Sequence, residues 1–98
     1  MNNLQNITII AVEELTINNG DYISSDKIAS LVMKRIKVDL TQIQEALNIL
    51  YRDGYLSGTK TGYQLTEKGY LYTYTYDLID ERVSYHINSK YSSQISCL

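Results

Sequence analysis

Proline, phenylalanine and tryptophan are all missing from this chain. Without proline no helix is forced to kink or stop for want of a backbone N–H, so glycine and short polar side chains must mark the ends of elements. The single cysteine, Cys97, excludes an internal disulfide, and the single histidine, His86, leaves no His/Cys spacing for a metal site. No serine or cysteine accompanies His86 in a nucleophile motif. Neither a nucleophile–base pair nor a ligand set is visible, so the reading is a non-enzyme without cofactor or evident small-molecule ligand. No apolar run approaches the ~20 residues of a membrane span. No basic-plus-apolar leader opens the chain, which points to an intracellular, cytoplasmic protein with no membrane partner. Ninety-eight residues make one domain, near the size at which dimerisation adds usefully to stability.

What is present is unevenly spread. Net charge is −2. Residues 27–68 hold seven bases (Lys27, Lys34, Arg35, Lys37, Arg52, Lys60, Lys68) against four acids (Asp39, Glu45, Asp53, Glu67), a local +3. The remainder holds Arg82 and Lys90 against Glu13, Glu14, Asp21, Asp26, Asp77, Asp80 and Glu81, a local −5. Such a division aims positive potential at one side of the molecule. Ile, Asn, Ser and Tyr are abundant, the usage that AT-rich coding sequence produces.

Leu4, Ile7, Ala11 and Leu15 recur at helical spacing and predict a first helix ending near Asn18-Asn19-Gly20. Asp21-Tyr22-Ile23 reads as a short extended link. Ser24 is a good N-cap for a second helix, with Asp26 in its positive first turn and Ile28, Leu31 and Val32 as its buried stripe. Lys34-Arg35-Ile36-Lys37-Val38 is the turn to a third helix.

That third helix organises the chain. Asp39 caps it, and Gln42 three residues on completes a capping-box spacing. Leu40, Ile43, Leu47 and Leu50, widened by Ala46, draw one apolar stripe. The other face carries Thr41, Glu45, Asn48 and Arg52, with Gln42 and Gln44 at its margins. Asp53-Gly54 stops the helix. Tyr55–Ser57 and Tyr63–Thr66 then read as a hairpin joined by a small polar loop.

The order Ala46-Leu47…Leu50…Asp53-Gly54-Tyr55-Leu56…Gly62-Tyr63-Gln64-Leu65-Thr66…Gly69 resembles the recognition helix and wing of winged helix-turn-helix DNA-binding domains. It is most similar to small archaeal and bacterial transcriptional regulators of the PadR, MarR and ArsR kind, with a viral or plasmid source fitting the composition. The resemblance covers roughly residues 4–70 and implies a winged helix-turn-helix; with the C-terminal dimerisation helix argued below, the expected fold is α+β and mostly helical. It implies a sequence-specific regulator of transcription, a repressor acting as a homodimer on double-stranded DNA. Thr41, Gln42, Gln44, Glu45, Asn48 and Arg52 are the side-chain types that read base edges. Lys34, Arg35 and Lys37 are placed to meet phosphates, and Lys60 is the contact from the wing. The same fold also serves as a protein–protein interaction module that does not bind DNA directly, and this alternative stands beside the first.

After Thr66, Tyr70, Tyr72, Tyr74 and Tyr76 alternate with Leu71, Thr73 and Thr75, a strand pattern by period and propensity. Thr66 caps well, however, and Leu71, Tyr72, Tyr76, Leu78, Ile79, Val83, Tyr85 and Ile87 fit a helix. Helix is the preferred reading. Its apolar arc is far wider than the ~100° stripe that faces one core, so the surplus (Leu71, Tyr72, Tyr76, Leu78, Ile79, Val83 and Ile87) is assigned to a dimer interface. The division expected is a winged-helix domain over residues 1–69, a dimerisation helix over 70–90 and a flexible tail over 91–98.

Overall fold

Helix ends in this chain are set by short side-chain contacts. Asn2 Oδ1 accepts from Gln5 N–H at 2.8 Å while Gln5 Oε1 accepts from Asn2 N–H, a capping box opening α1 (Asn3–Leu15). Ser24 Oγ caps α2 (Ser25–Arg35), and Asp39 with Gln42 forms the expected box on α3 (Leu40–Arg52). The hairpin β1 (Leu56–Thr59) and β2 (Gly62–Leu65) comes next, then α4 (Glu67–Ile79). The computed structural model describes residues 1–18 and 20–79, the last four (76–79) by backbone alone. Within them the chain is α+β and mostly helical, four helices with one two-stranded antiparallel sheet. The expected interface residues Val83 and Ile87, His86, Cys97 and the 91–98 tail lie outside the described residues. So do the side chains of Tyr76, Leu78 and Ile79.

α1 is the centre of the packing, against α2, α3, β2 and α4. Thr8, Ile9, Ile10, Ala11 and Val12 are all buried, whereas Leu4, Ile7 and Leu15 are only partly so. The one-faced stripe expected for this helix is therefore corrected: neighbours cover α1 around most of its circumference. Thr8 tolerates full burial because its hydroxyl donates to the Leu4 carbonyl at 2.7 Å. Ile28 and Val32 of α2 and Ile43, Leu47 and Leu50 of α3 close the core, with Leu56 and Leu65 from the hairpin.

α3 ends in a Schellman arrangement. Gly54 takes φ +85°, Tyr55 N–H donates to Leu50 O at 2.9 Å, and Gly54 N–H donates to Tyr51 O at 3.2 Å. Tyr55 thus belongs to the helix terminus, and β1 starts one residue later than the sequence pattern indicates. The hairpin register pairs Leu56 with Leu65 and Thr59 with Gly62 around a two-residue tip, Lys60-Thr61. Ile23 bridges to Tyr63 through N–H···O bonds of 2.7 and 2.8 Å, so the expected extended link lies on the free edge of β2. Gly62 permits that approach: at φ +145°, a Cβ there would lie 2.2 Å from the Ile23 carbonyl oxygen.

Residues 67–79 are helical, which settles the helix-or-strand alternative in favour of helix. Thr66 Oγ1 accepts from Gly69 N–H at 3.1 Å and donates to Gly54 O, tying the start of α4 to the end of α3. The boundary expected between residues 69 and 70 falls inside this helix. Among the described residues, no helix is long and apolar enough to cross a membrane.

Candidate nucleic-acid interface

The 3.6-residue period divides α3 into two faces. Ile43, Ala46, Leu47 and Leu50 are buried; Thr41, Gln42, Gln44, Glu45, Asn48 and Arg52 are exposed. Leu40 corrects the expected apolar stripe. At 56% exposure it stands in the first turn on the solvent side, ahead of the point where the helix meets the core.

The exposed polar side chains are not equivalent. Gln42 Oε1 accepts from Asp39 N–H at 3.0 Å, so its carbonyl is committed to the cap. Arg52 Nε lies 3.1 Å from Asp53 Oδ1 in an exposed ion pair of small energetic worth. Gln44 Nε2 donates to Asn48 Oδ1 at 3.2 Å and to the Tyr63 hydroxyl at 3.3 Å. The second contact joins the helix to the hairpin.

Two open grooves flank this face and share Asn48. On the α2 side, Ser25, Asp26, Leu40, Thr41, Gln44, Glu45 and Asn48 line about 510 Å³. On the hairpin side, Asn48, Tyr51, Gly58, Thr59, Lys60 and Tyr63 line about 350 Å³. The first groove is lined by two carboxylates and the second by a lysine. Gly58 gives the hairpin-side groove its depth, since a Cβ there would lie 3.4 Å from the rings of both Tyr51 and Tyr63.

Lys34, Arg35 and Lys37 are exposed, but it is the start of α2, not its end, that lines the groove beside α3. Lys34 and Arg35 lie in the last turn of α2 and not in the turn expected over residues 34–38, and Arg35 Nη2 pairs with Glu14 Oε2 of α1, which neutralises one of these three bases. Lys68 Nζ donates to Asp53 O at 2.7 Å and lies 4.4 Å from the centre of the Tyr55 ring. It thus ties the start of α4 to the end of α3 while keeping its charge. Lys34, Lys37 and Lys60 have no ion pair among the described residues.

Sequence reasoning missed Tyr51, Tyr63 and Leu40 at this surface. Tyr63 had one available signal, its place opposite a glycine in a hairpin that follows the helix directly. Among the described residues, no group of three or more His, Cys, Asp or Glu could hold a metal ion. In comparison with known proteins, no family model matches the chain, and no curated protein matches it.

On α4, Leu71 is 63% and Tyr74 58% exposed. Tyr72, grouped by its sequence with the outward surplus, is engaged within the chain: its hydroxyl donates to Asn6 Oδ1 and its ring meets Tyr55 edge-on at 5.4 Å. Burial, and then the neighbouring Tyr55, push its pKa above the ordinary tyrosine value.

Proposed function

We propose that this chain is a winged helix-turn-helix protein that binds double-stranded DNA sequence-specifically as a homodimer and regulates transcription, repressing by occupying a promoter. The observation that carries this reading is the exposed face of α3, where Thr41, Gln44, Asn48 and Arg52 present donors and acceptors on a helix whose opposite side is buried. A helix of this diameter enters the major groove, where amides pair with adenine and arginine with guanine. Lys60 at the hairpin tip, with Lys34 and Lys37, supplies phosphate contacts whose counterion release makes binding salt-dependent. Exposed Leu71 and Tyr74 on α4 support pairing with a second copy, because an apolar helix face is stabilised by removal from water.

The test is selection from random duplex pools at two salt concentrations, with sedimentation of the free protein. A specific site enriched as an inverted repeat is expected, its half-sites about one helical turn (~10 bp) or a multiple apart. Inserting 5 bp between half-sites should reduce affinity toward that of one half-site. Absence of duplex binding at low salt refutes the reading.

A second reading has its own observation. Asp26 and Glu45 beside Leu40, with Tyr51 54% exposed on the other flank, favour a protein partner over phosphates. On that reading the chain is an interaction module, and duplex pools would yield no enrichment.

A further inference from the structure

Gln44 and Asn48 stand one turn apart on the exposed face of α3, and each carries the amide that pairs bidentately with adenine. Their hydrogen bonds separate them. A primary amide has two N–H donors, and Gln44 Nε2 faces two acceptors, Asn48 Oδ1 at 3.2 Å and the Tyr63 hydroxyl at 3.3 Å. Adenine presents N7 as an acceptor and N6 as a donor in the major groove, so its reader needs one free donor and one free acceptor on the same amide. Gln44 has only its carbonyl left. Asn48 keeps both N–H groups, and its Oδ1 keeps a second lone pair.

The same contact aims the Asn48 amide. Accepting from Gln44 holds Oδ1 on the Gln44 side, which turns Nδ2 away. Freeing Gln44 for a base would break two hydrogen bonds, whereas using Asn48 breaks neither. Tyr63 is itself placed by the hairpin, paired with Gly58 in the register and bridged to Ile23 through its backbone. A chain of hydrogen bonds therefore runs from the hairpin to the helix.

We infer that Asn48 is the base-reading amide of α3, selecting adenine, and that Gln44 is a positioning residue oriented by Tyr63. This rests on the proposed DNA-binding reading and deepens it. The Tyr63 hydroxyl, having accepted from Gln44, retains its own proton to donate, and a phosphate oxygen is the acceptor a duplex supplies there.

The experiment has two arms on the full chain. Without DNA, the side-chain amide NMR resonances of Gln44 and Asn48 should both shift in Tyr63→Phe, whose ring preserves packing. Unmoved resonances overturn the positioning role whatever the protein binds. With duplexes selected by the wild type, Asn48→Ala should lose about 10- to 100-fold discrimination for adenine at one position per half-site. Gln44→Ala and Tyr63→Phe should keep the preferred base and lose only about two- to fivefold, the worth of one modest hydrogen bond. Replacing that adenine by 7-deazaadenine, which removes N7, should weaken the wild type but not Asn48→Ala. Loss of the preference in Gln44→Ala with its retention in Asn48→Ala overturns the assignment alone. Failure of the wild type to enrich any duplex overturns the DNA-binding reading and the assignment with it.

Discussion

α3 and α4 each begin at a side-chain oxygen that accepts a first-turn N–H. Their outward faces differ in chemistry. α3 buries Ile43, Ala46, Leu47 and Leu50 and leaves amides, a hydroxyl, a carboxylate and an arginine outside, together with Leu40 and Tyr51. α4 turns Tyr70, Tyr72 and Thr73 toward the body and still shows Leu71 and Tyr74 to solvent. A face rich in directional hydrogen-bonding groups suits a partner that presents donors and acceptors in a set pattern. A face of leucine and tyrosine suits non-directional burial. Each helix shows a leucine and a tyrosine to solvent, and what sets α3 apart is the row of amides, hydroxyl and arginine beside them; Thr66, Lys68 and the α3 terminus hold the two helices together.

The comparison breaks most visibly if equal truncations on the two helices cost the same. Leu47→Ala on the buried side of α3 should lose about 2–5 kcal/mol in denaturant unfolding, because Leu47 is fully enclosed. Leu71→Ala on the exposed side of α4 should change stability by less than about 0.5 kcal/mol in dilute protein. Its effect should appear in sedimentation, as weaker self-association at high concentration. Similar unfolding losses for both would place Leu71 in a packed environment like that of Leu47.

Gly62→Ala probes the hairpin that separates the two helices in sequence. The new Cβ would overlap the Ile23 carbonyl at a backbone φ that favours glycine. A loss exceeding about 1 kcal/mol is expected, visible as a lower denaturation midpoint, and Gly58→Ala should do less because ring edges yield more easily than backbone.

Tyr72 sharpens the account of α4. Its raised pKa means that the unfolded chain releases this proton at a lower pH than the folded one. Stability should therefore be unaffected by this group below about pH 10 and fall as pH rises from there through the folded pKa. Tyr72→Phe should cost about 0.5–1.5 kcal/mol at neutral pH through the lost bond to Asn6, and it should flatten the alkaline decline. An unchanged alkaline profile would place Tyr72 in water.

The smallest effect expected concerns the end of α2. Glu14→Gln releases Arg35 from its ion pair. An exposed pair is worth only ~0–1 kcal/mol, so folding should hardly change. On the DNA-binding reading, affinity for all duplexes should rise a few-fold and the salt slope should steepen by up to about one unit. Titrations at several salt concentrations measure this, and an unchanged salt slope would place Arg35 away from DNA.

The features legible in the sequence are those made by contacts three to five residues apart. Ser24, the Asp39–Gln42 box, Gly54 and Thr66 all act where their spacing indicates. Each helix end needs a local donor or acceptor, and each of these residues supplies one within a turn. The polar face of α3 is equally local, since the helical period alone determines which of its residues share a side. Non-local neighbours were not legible. Periodicity indicates that α1 has an apolar stripe, but not that four elements would cover it on most sides and bury Thr8. It could not show that Leu40 precedes the core contact, that Arg35 meets Glu14 twenty-one residues away, or that Tyr72 reaches Asn6 across sixty-six. The amide pattern Gln44-x-x-x-Asn48 belongs to the sequence; which of the two keeps its donors free depends on a tyrosine hydroxyl delivered by the hairpin. Local chemistry determines where elements begin, end and turn their faces, because its partners lie within one turn of chain. Only the packed tertiary structure decides what each face meets, because that depends on residues far apart in the chain being brought within hydrogen-bond distance.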